Sequence, residues 1–364
     1  INSISNQMDL NLTRLSRSLR RIVCEDLDVR GILDGVVDLL ELEEKRVRAI
    51  GVNEKDVINI RDTQLGSILK LLLKEKKVAS EISLDDTNYG NKGIEAAKQF
   101  IDFLSDTFLT YRKEDGNLIV SLVTTNLSKK LGSILRKNKS FVFMTGTLHS
   151  SEILKNVFGI SNYSVVEAET KGHGEVEIVM TGKEMDCSYR NFKSNDITRE
   201  EYIHALNECV EKAEKPLLLH VQAYEDLPND KECGDFNFLN ILSREKLWRE
   251  QSLDKTGKAV SLFKKGIIDT LFSTKCTRGV DFPGEVCKSM IFTKYPNPNV
   301  NGTFWKILQK THPNYFWNFY RDKARREFLQ RLYRALRSKE DHLFVLSPDS
   351  RILNAVREYQ NGRF

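Results

Sequence analysis

The chain has 364 residues and a mass of 42.0 kDa, with 40% hydrophobic and 29% charged residues, so a disordered or collagen-like chain is excluded and two or three domains of roughly 100–200 residues are expected. Lys and Arg number 56 against 51 Asp and Glu, a net charge of +5 with a pI near 8.7. That balance is too mild to argue for a nucleic-acid partner without local clustering.

The first third reads as helices. Apolar residues recur at helical spacing over Gly31–Val47 (Ile32, Val36, Val37, Leu39, Leu40, Leu42), over Thr63–Ile82 and over Ala96–Leu109. The polar run Asp85–Asn91 separates the last two, and no strand is expected before residue 117. Short apolar, β-branched runs then follow at Leu118–Val123, Phe141–Met144, Val176–Met180, Leu217–Val221, Thr270–Ser273, Met290–Thr293 and Leu343–Leu346. Amphipathic helical stretches such as Glu200–Ala213 and Tyr320–Arg337 lie among them. The alternation predicts an α/β fold, a mostly parallel sheet flanked by helices, with chemistry at the carboxyl ends of its strands.

The six cysteines (Cys24, Cys187, Cys209, Cys233, Cys276, Cys287) form no C-x-x-C pair, and the six histidines form no i, i+4 pair. Reduced thiols in an intracellular, cytoplasmic protein and no metal site in the chain are expected. No apolar run approaches the ~18–20 residues that span a bilayer, so no membrane partner is expected. Ile1-Asn2-Ser3 has no signal-peptide character and no initiator Met, and a processed or excerpted chain is expected.

Four stretches carry candidate chemistry. Phe141 to Leu148 ends a predicted strand in Thr145-Gly146-Thr147, small hydroxyl residues about a glycine. Taken alone, an ordinary strand-end turn is the better reading. Lys215 to Tyr224 is a strand whose exit presents Gln222 and Tyr224, again a surface turn by default. In Leu271 to Gly284, Asp281 sits between Val280 and Phe282, and a carboxylate there needs a fixed polar partner or a turn to cap. In Glu327–Arg337, a helix would set Gln330, Arg334 and Arg337 in one row, opposite Phe328, Leu329, Leu332 and Leu336. Guanidinium forks fit phosphate oxygens bidentately, although an Arg-rich helix is more often a solvated face. Asn301 to Tyr320 is dense in aromatics (Phe304, Trp305, Tyr315, Phe316, Trp317, Phe319, Tyr320) beside Lys306, Lys310 and Arg321. Core packing is the expectation, with stacking on single-stranded nucleic acid the alternative.

Together, in order and spacing, these stretches resemble the carboxyl-terminal half of a superfamily 2 helicase of the XPD/DinG group, over about residues 117–355. Met144-Thr145-Gly146-Thr147-Leu148 resembles the group's S-G-T-L, and Leu219 to Tyr224 its apolar strand ending in Ser-Tyr. Thr277-Arg278-Gly279-Val280-Asp281-Phe282 resembles S-E-G-I-D-F, with Arg278 in place of the acid. Gln330 to Arg337 resembles Q-x-x-G-R-x-x-R, with Tyr333 in place of the glycine, and Asp349-Ser350-Arg351 the D-x-R that follows.

The resemblance implies an all-helical Arch-like domain over 1–112, the end of a first motor domain over 113–150 and a second RecA-like helicase domain over 151–364. It implies an ATP-dependent DNA helicase working in DNA repair or a related pathway and moving 5′ to 3′ on single-stranded or forked DNA. In it Gln330, Arg334, Arg337 and Asp281 act on ATP, with Gly279 at the nucleotide. Thr145, Thr147, Tyr224, Thr277 and Arg278 lie at the DNA. The chain has neither a G-x-x-x-x-G-K-[ST] loop nor a D-E-A-H box, so ATP and Mg²⁺ are expected to be held mainly by the missing first motor domain. An iron–sulfur cluster, if present, would lie upstream. The alternatives are a non-hydrolysing scaffold on single-stranded DNA and a helical module that docks a protein.

Overall fold

The structure, a computed structural model, describes residues 7–51, 54–166, 174–274 and 279–362. The chain divides into two compact units. One comprises residues 1–144, 149–163 and 298–320; the other comprises 145–148, 164–297 and 321–364.

The first unit is helical in bulk. Its longest helix, Leu27–Ile50, is opened by Asp26, whose carboxylate accepts from the amides of Asp28 and Val29, and is closed by Gly51 at φ 66°. Val29, Ile32, Leu33, Val36, Val37, Leu40 and Val47 form its buried stripe. The single helix expected over 63–82 is two, Leu65–Leu72 and Lys76–Ser83, and the next is Gly90–Phe100.

The unit is not all-helical, and strands precede residue 117. β1 (Gln7–Asn11), β2 (Ile58–Asn59), β3 (Thr107–Glu114) and β4 (Asn117–Thr124) make an antiparallel sheet in the order β1-β4-β3-β2. The helix expected over 96–109 ends at Phe100; a 3-10 stretch at Ile101–Asp106 leads into β3. Phe100, Phe103, Leu104 and Phe108 fit a helical period, but pairing with the β-branched β4 decides the conformation. The hairpin turns at Asp115-Gly116, both at positive φ.

A second core of this unit joins the helices Leu127–Leu135, Ser151–Asn156 and Thr303–Thr311. The aromatic segment belongs to it. Phe316 and Phe319 are buried, and Trp305 lies 5.3 Å from the Phe319 ring. Lys306 and Lys310 donate to the carbonyls of Glu54 and Lys55 at 3.1 and 2.9 Å. The strand expected at 141–144 is absent, and Val142 and Met144 are 86% and 92% exposed. An isolated apolar run has no neighbour for its amides and carbonyls, and none pairs with it among the described residues.

The second unit holds a parallel sheet of β5 (Glu175–Ile178), β6 (Leu217–His220), β7 (Thr270–Ser273), β8 (Ser289–Phe292) and β9 (His342–Leu346), in the order β5-β9-β8-β6-β7. Alternate residues feed two cores. Leu218, Met290, Phe292, Leu343 and Val345 pack with Phe328, Leu332, Ile352 and Val356. Leu217, Leu219, Ile291 and Leu346 pack with Tyr202, Ile203, Leu206 and Val210 of the helix Arg199–Lys212. A sheet covered on both faces explains why its strands read as continuous apolar runs. Among the described residues no helix is long and apolar enough to cross a membrane.

Candidate functional site

The helix Pro313–Leu332 delivers the first part of the site. Gln330, in its last turn, donates from Nε2 to Thr147 Oγ1 at 2.9 Å. Thr147 is buried; its amide donates to Thr145 Oγ1 at 3.1 Å, and its carbonyl accepts from Thr145 Oγ1 and Arg326 Nε. Thr145 and Thr147 are thus tied to one another, and Gln330 reads the second hydroxyl.

The helix does not continue to Arg337, as the expected row required. It ends at Leu332, where the amides of Arg334 and Ala335 turn back to the carbonyls of Arg331 and Leu332. Arg334 and Arg337 nevertheless converge. Arg334 Nη1 lies 3.0 Å from Asp281 Oδ1 and 3.4 Å from the Val280 carbonyl, and Arg337 Nη2 donates to the same Asp281 oxygen. The Phe282 amide donates to the Arg334 carbonyl at 2.7 Å, so the two segments are joined through backbone as well. Burial works to raise the Asp281 carboxyl, and the guanidiniums of Arg337 and Arg334 outweigh it, holding the group below the usual carboxylate range. Gly279 has φ 75° with open space where a Cβ would stand, so backbone conformation selects glycine there.

Beneath this turn Arg331 is buried, with Nε and Nη1 lacking a hydrogen-bond partner and Nη2 3.4 Å from Glu327 Oε1. His220, the last residue of β6, is fully enclosed. Burial first, then Arg331 and Arg334, drive its imidazole well below its usual range. A buried imidazole held below its usual range and an incompletely partnered guanidinium therefore lie beside Arg334.

Residues 206–362 match the family model described as "Helicase C-terminal domain". That stretch is similar to helicase C-terminal domains. Four of the five motif stretches lie in it; Met144–Leu148 precedes it. Two solved structures are similar to the chain. One titled "XPD_Helicase" has 13% identity and a TM-score of 0.48 over 97% of this chain and 64% of that chain. One titled "XPD_APO" has 16% identity and a TM-score of 0.49 over 97% of this chain and 71% of that chain. The chain thus spans less than two thirds of the first structure's length. No curated protein matches it.

Within residues 206–362, Tyr224 stands four residues past the end of β6 and donates from its hydroxyl to Gln251 Oε1 at 2.9 Å. The same oxygen accepts from Thr274 Oγ1 at 2.7 Å, one residue past β7. Gln251 went unread in the sequence because it belongs to no motif. Thr277 and Arg278 lie outside the described residues. Gln222 turns inward, its amide bonding Thr293 Oγ1 and its Nε2 the Asn297 carbonyl.

Asp349 and Arg351 are structural here. The buried Asp349 caps the helix Ser350–Gln360 and accepts from the Tyr295 amide at 2.8 Å, while Arg351 binds Asp349 and the Cys187 carbonyl. Asp341 was missed altogether. Its carboxylate accepts from the amides of Gly284 and Ser338 at 2.8 and 2.7 Å and also from that of Arg337, fixing the turn that carries the arginines. No His, Cys, Asp and Glu group suited to a metal occurs among the described residues.

Proposed function

We propose that the chain is the arginine-bearing half of an ATP-driven motor that tracks single-stranded DNA, 5′ to 3′, with Arg334 and Arg337 directed at the phosphates of a nucleotide held largely by a separate motor lobe. The observation that carries this reading is the convergence of both guanidiniums on Asp281, beside a helix end whose Gln330 is fixed on Thr147. Two forks with permanent charge suit phosphate oxygens, and one of them at a transferring γ-phosphate is worth about 10³–10⁵ in rate in P-loop enzymes.

In this mechanism Asp281 holds the guanidiniums ready and releases them when the lobes close. Gly279 and Asp281 couple that event to the loop after β7. Thr145, Thr147 and Tyr224, with Thr277 and Arg278, line the track of the strand. ATP supplies the phosphoryl group whose transfer to water drives the cycle, with Mg²⁺ held mainly by the other lobe; an iron–sulfur cluster would also belong to that lobe. Residues 1–112 are proposed as an Arch-like domain, 113–150 as the end of the first motor domain and 151–364 as the second.

The test is Arg334→Ala in the complete protein. ATPase activity falls to background while single-stranded DNA binding stays; retained turnover removes Arg334 from the role. A wild-type protein that binds single-stranded DNA and hydrolyses no ATP is instead a scaffold.

A further inference from the structure

The helix Arg244–Leu253 presents an indole to solvent. Trp248 is 59% exposed and has no ring partner among the described residues, whereas Leu247 beside it is buried and anchors the helix. Ser243 caps the helix by accepting from the Lys246 amide. One turn beyond Trp248, on the same side, Gln251 is the residue that receives the hydroxyls of Tyr224 and Thr274, at 2.9 and 2.7 Å. The indole is therefore held at the carboxyl ends of β6 and β7 by a helix that cannot slide away from them.

The charge around it is lopsided. Of the three acids in residues 244–258, Glu245 is bound to Arg244 and to the Asp230 amide, Asp254 accepts the amides of Lys258 and Ala259, and Glu250 is exposed, one acid against the four cations that follow. Lys246, Arg249, Lys255 and Lys258 are exposed, with no ion pair among the described residues. An exposed aromatic face framed by free cations suits an unpaired nucleic-acid strand, with bases stacking on the ring and phosphates near the cations.

We infer that Trp248 is a base-stacking platform for single-stranded DNA on the helicase C-terminal domain. The inference rests on the tracking reading above and adds a residue and a mode of contact that no motif supplies.

The test titrates the intact protein with fluorescein-labelled oligothymidylate, without nucleotide, at several salt concentrations. Trp248→Ala weakens binding by about 5- to 150-fold, the effect of one lost stacked base. Trp248→Phe, which keeps a π-face, recovers most of it. The slope of affinity against salt is the same in all three proteins, because an indole neutralises no phosphate. An altered slope means that the cationic contacts have moved and overturns the stacking role. Equal affinity of wild type and Trp248→Ala overturns this inference alone. A wild-type protein that does not bind the oligonucleotide overturns the tracking reading with it.

Discussion

The Arg334 guanidinium sits 3.0 Å from Asp281 Oδ1 and ties the turn after Leu332 to the loop after β7. Arg337 shares that oxygen, so one carboxylate orders two cations. Side-chain exposure is 45% for Asp281 and 42% for Arg337, so screening keeps that pair below about 1 kcal/mol, whereas Arg334, at 15%, is the more enclosed partner. The Arg337 pair therefore sets geometry more than stability, and the acid's value is in aiming the forks.

A depressed Asp281 has a definite sign in acid. Its folded-state value lies below the unfolded one of about 3.9, so its contribution is complete above that pH and disappears as pH falls through the lower folded value. Melting temperatures of wild type and Asp281→Asn will differ by a small constant amount near neutrality and converge in acid. A gap that widens in acid would contradict the pairing.

Arg331 gives an effect of opposite kind. Two of its donors are buried without partners, and its one ion pair, to Glu327, is long at 3.4 Å. Desolvating a charge costs more than so weak a pair returns, and apolar replacement of such groups is often neutral or stabilising by about 1–4 kcal/mol. Arg331→Met is expected to hold or raise the melting temperature, while Glu327→Gln, which leaves the cation buried and uncompensated, lowers it. A marked loss in Arg331→Met would show that the guanidinium is better satisfied than its contacts indicate.

How much was legible follows from where each element gets its stability. Strands β6 to β9 were readable because each carries a run of consecutive apolar residues (Leu217–Leu219, Leu271–Phe272, Met290–Phe292, Leu343–Leu346) whose two faces feed the two cores. β1 was not: Gln7-Met8-Asp9-Leu10-Asn11 buries only Met8 and Leu10, too short an alternation to stand out, and it forms because β4 lies beside it. The helix end at Leu332 was equally hidden, since Tyr333-Arg334-Ala335-Leu336 contains no breaker. Tertiary bonds stop it: the Phe282 amide takes the Arg334 carbonyl, and Asp341 takes the amides of Arg337 and Ser338. The motifs singled out Asp281, Gln330, Arg334 and Arg337; the structure joins Arg334 and Arg337 to Asp281 and Gln330 to Thr147, and the helical row expected for the last three does not form. Gln251 and Asp341 carry no motif and became visible only through their hydrogen bonds.

In the first unit the buried Glu43 is the most exacting residue. It is fully enclosed and accepts from the Tyr111 hydroxyl at 2.6 Å, from the Gln64 amide at 2.9 Å and from Arg46. Burial first, then the neighbouring Glu43, push the Tyr111 hydroxyl far up, so it stays a donor at any ordinary pH. Glu43→Ala strands a buried donor and a partly buried cation and is expected to cost about 3–5 kcal/mol. Tyr111→Phe, which removes one donor and leaves the ion pair, is expected to cost about 1–2 kcal/mol. Urea denaturation of the two variants checks the order; equal losses would mean that packing around the ring, rather than the carboxylate network, sets the cost.

Tyr333 occupies the position at which the motif of the XPD/DinG group has glycine. It packs edge-on against Tyr359 of the carboxyl-terminal helix, with ring centroids 6.0 Å apart, beside the core that contains Phe328 and Leu332. Burial raises its hydroxyl, as it does that of Tyr359. The tyrosine thus fastens the helix Ser350–Gln360 to the turn. Tyr333→Gly, which restores the group's residue, is expected to destabilise the second unit by roughly 2–4 kcal/mol through lost packing and added backbone freedom. It is not expected to raise ATP turnover in the complete protein, because the ring's partner is Tyr359. Thermal denaturation and an ATPase assay on the same preparation decide it: a variant with undiminished melting temperature and faster turnover would mean that the ring obstructs the nucleotide after all.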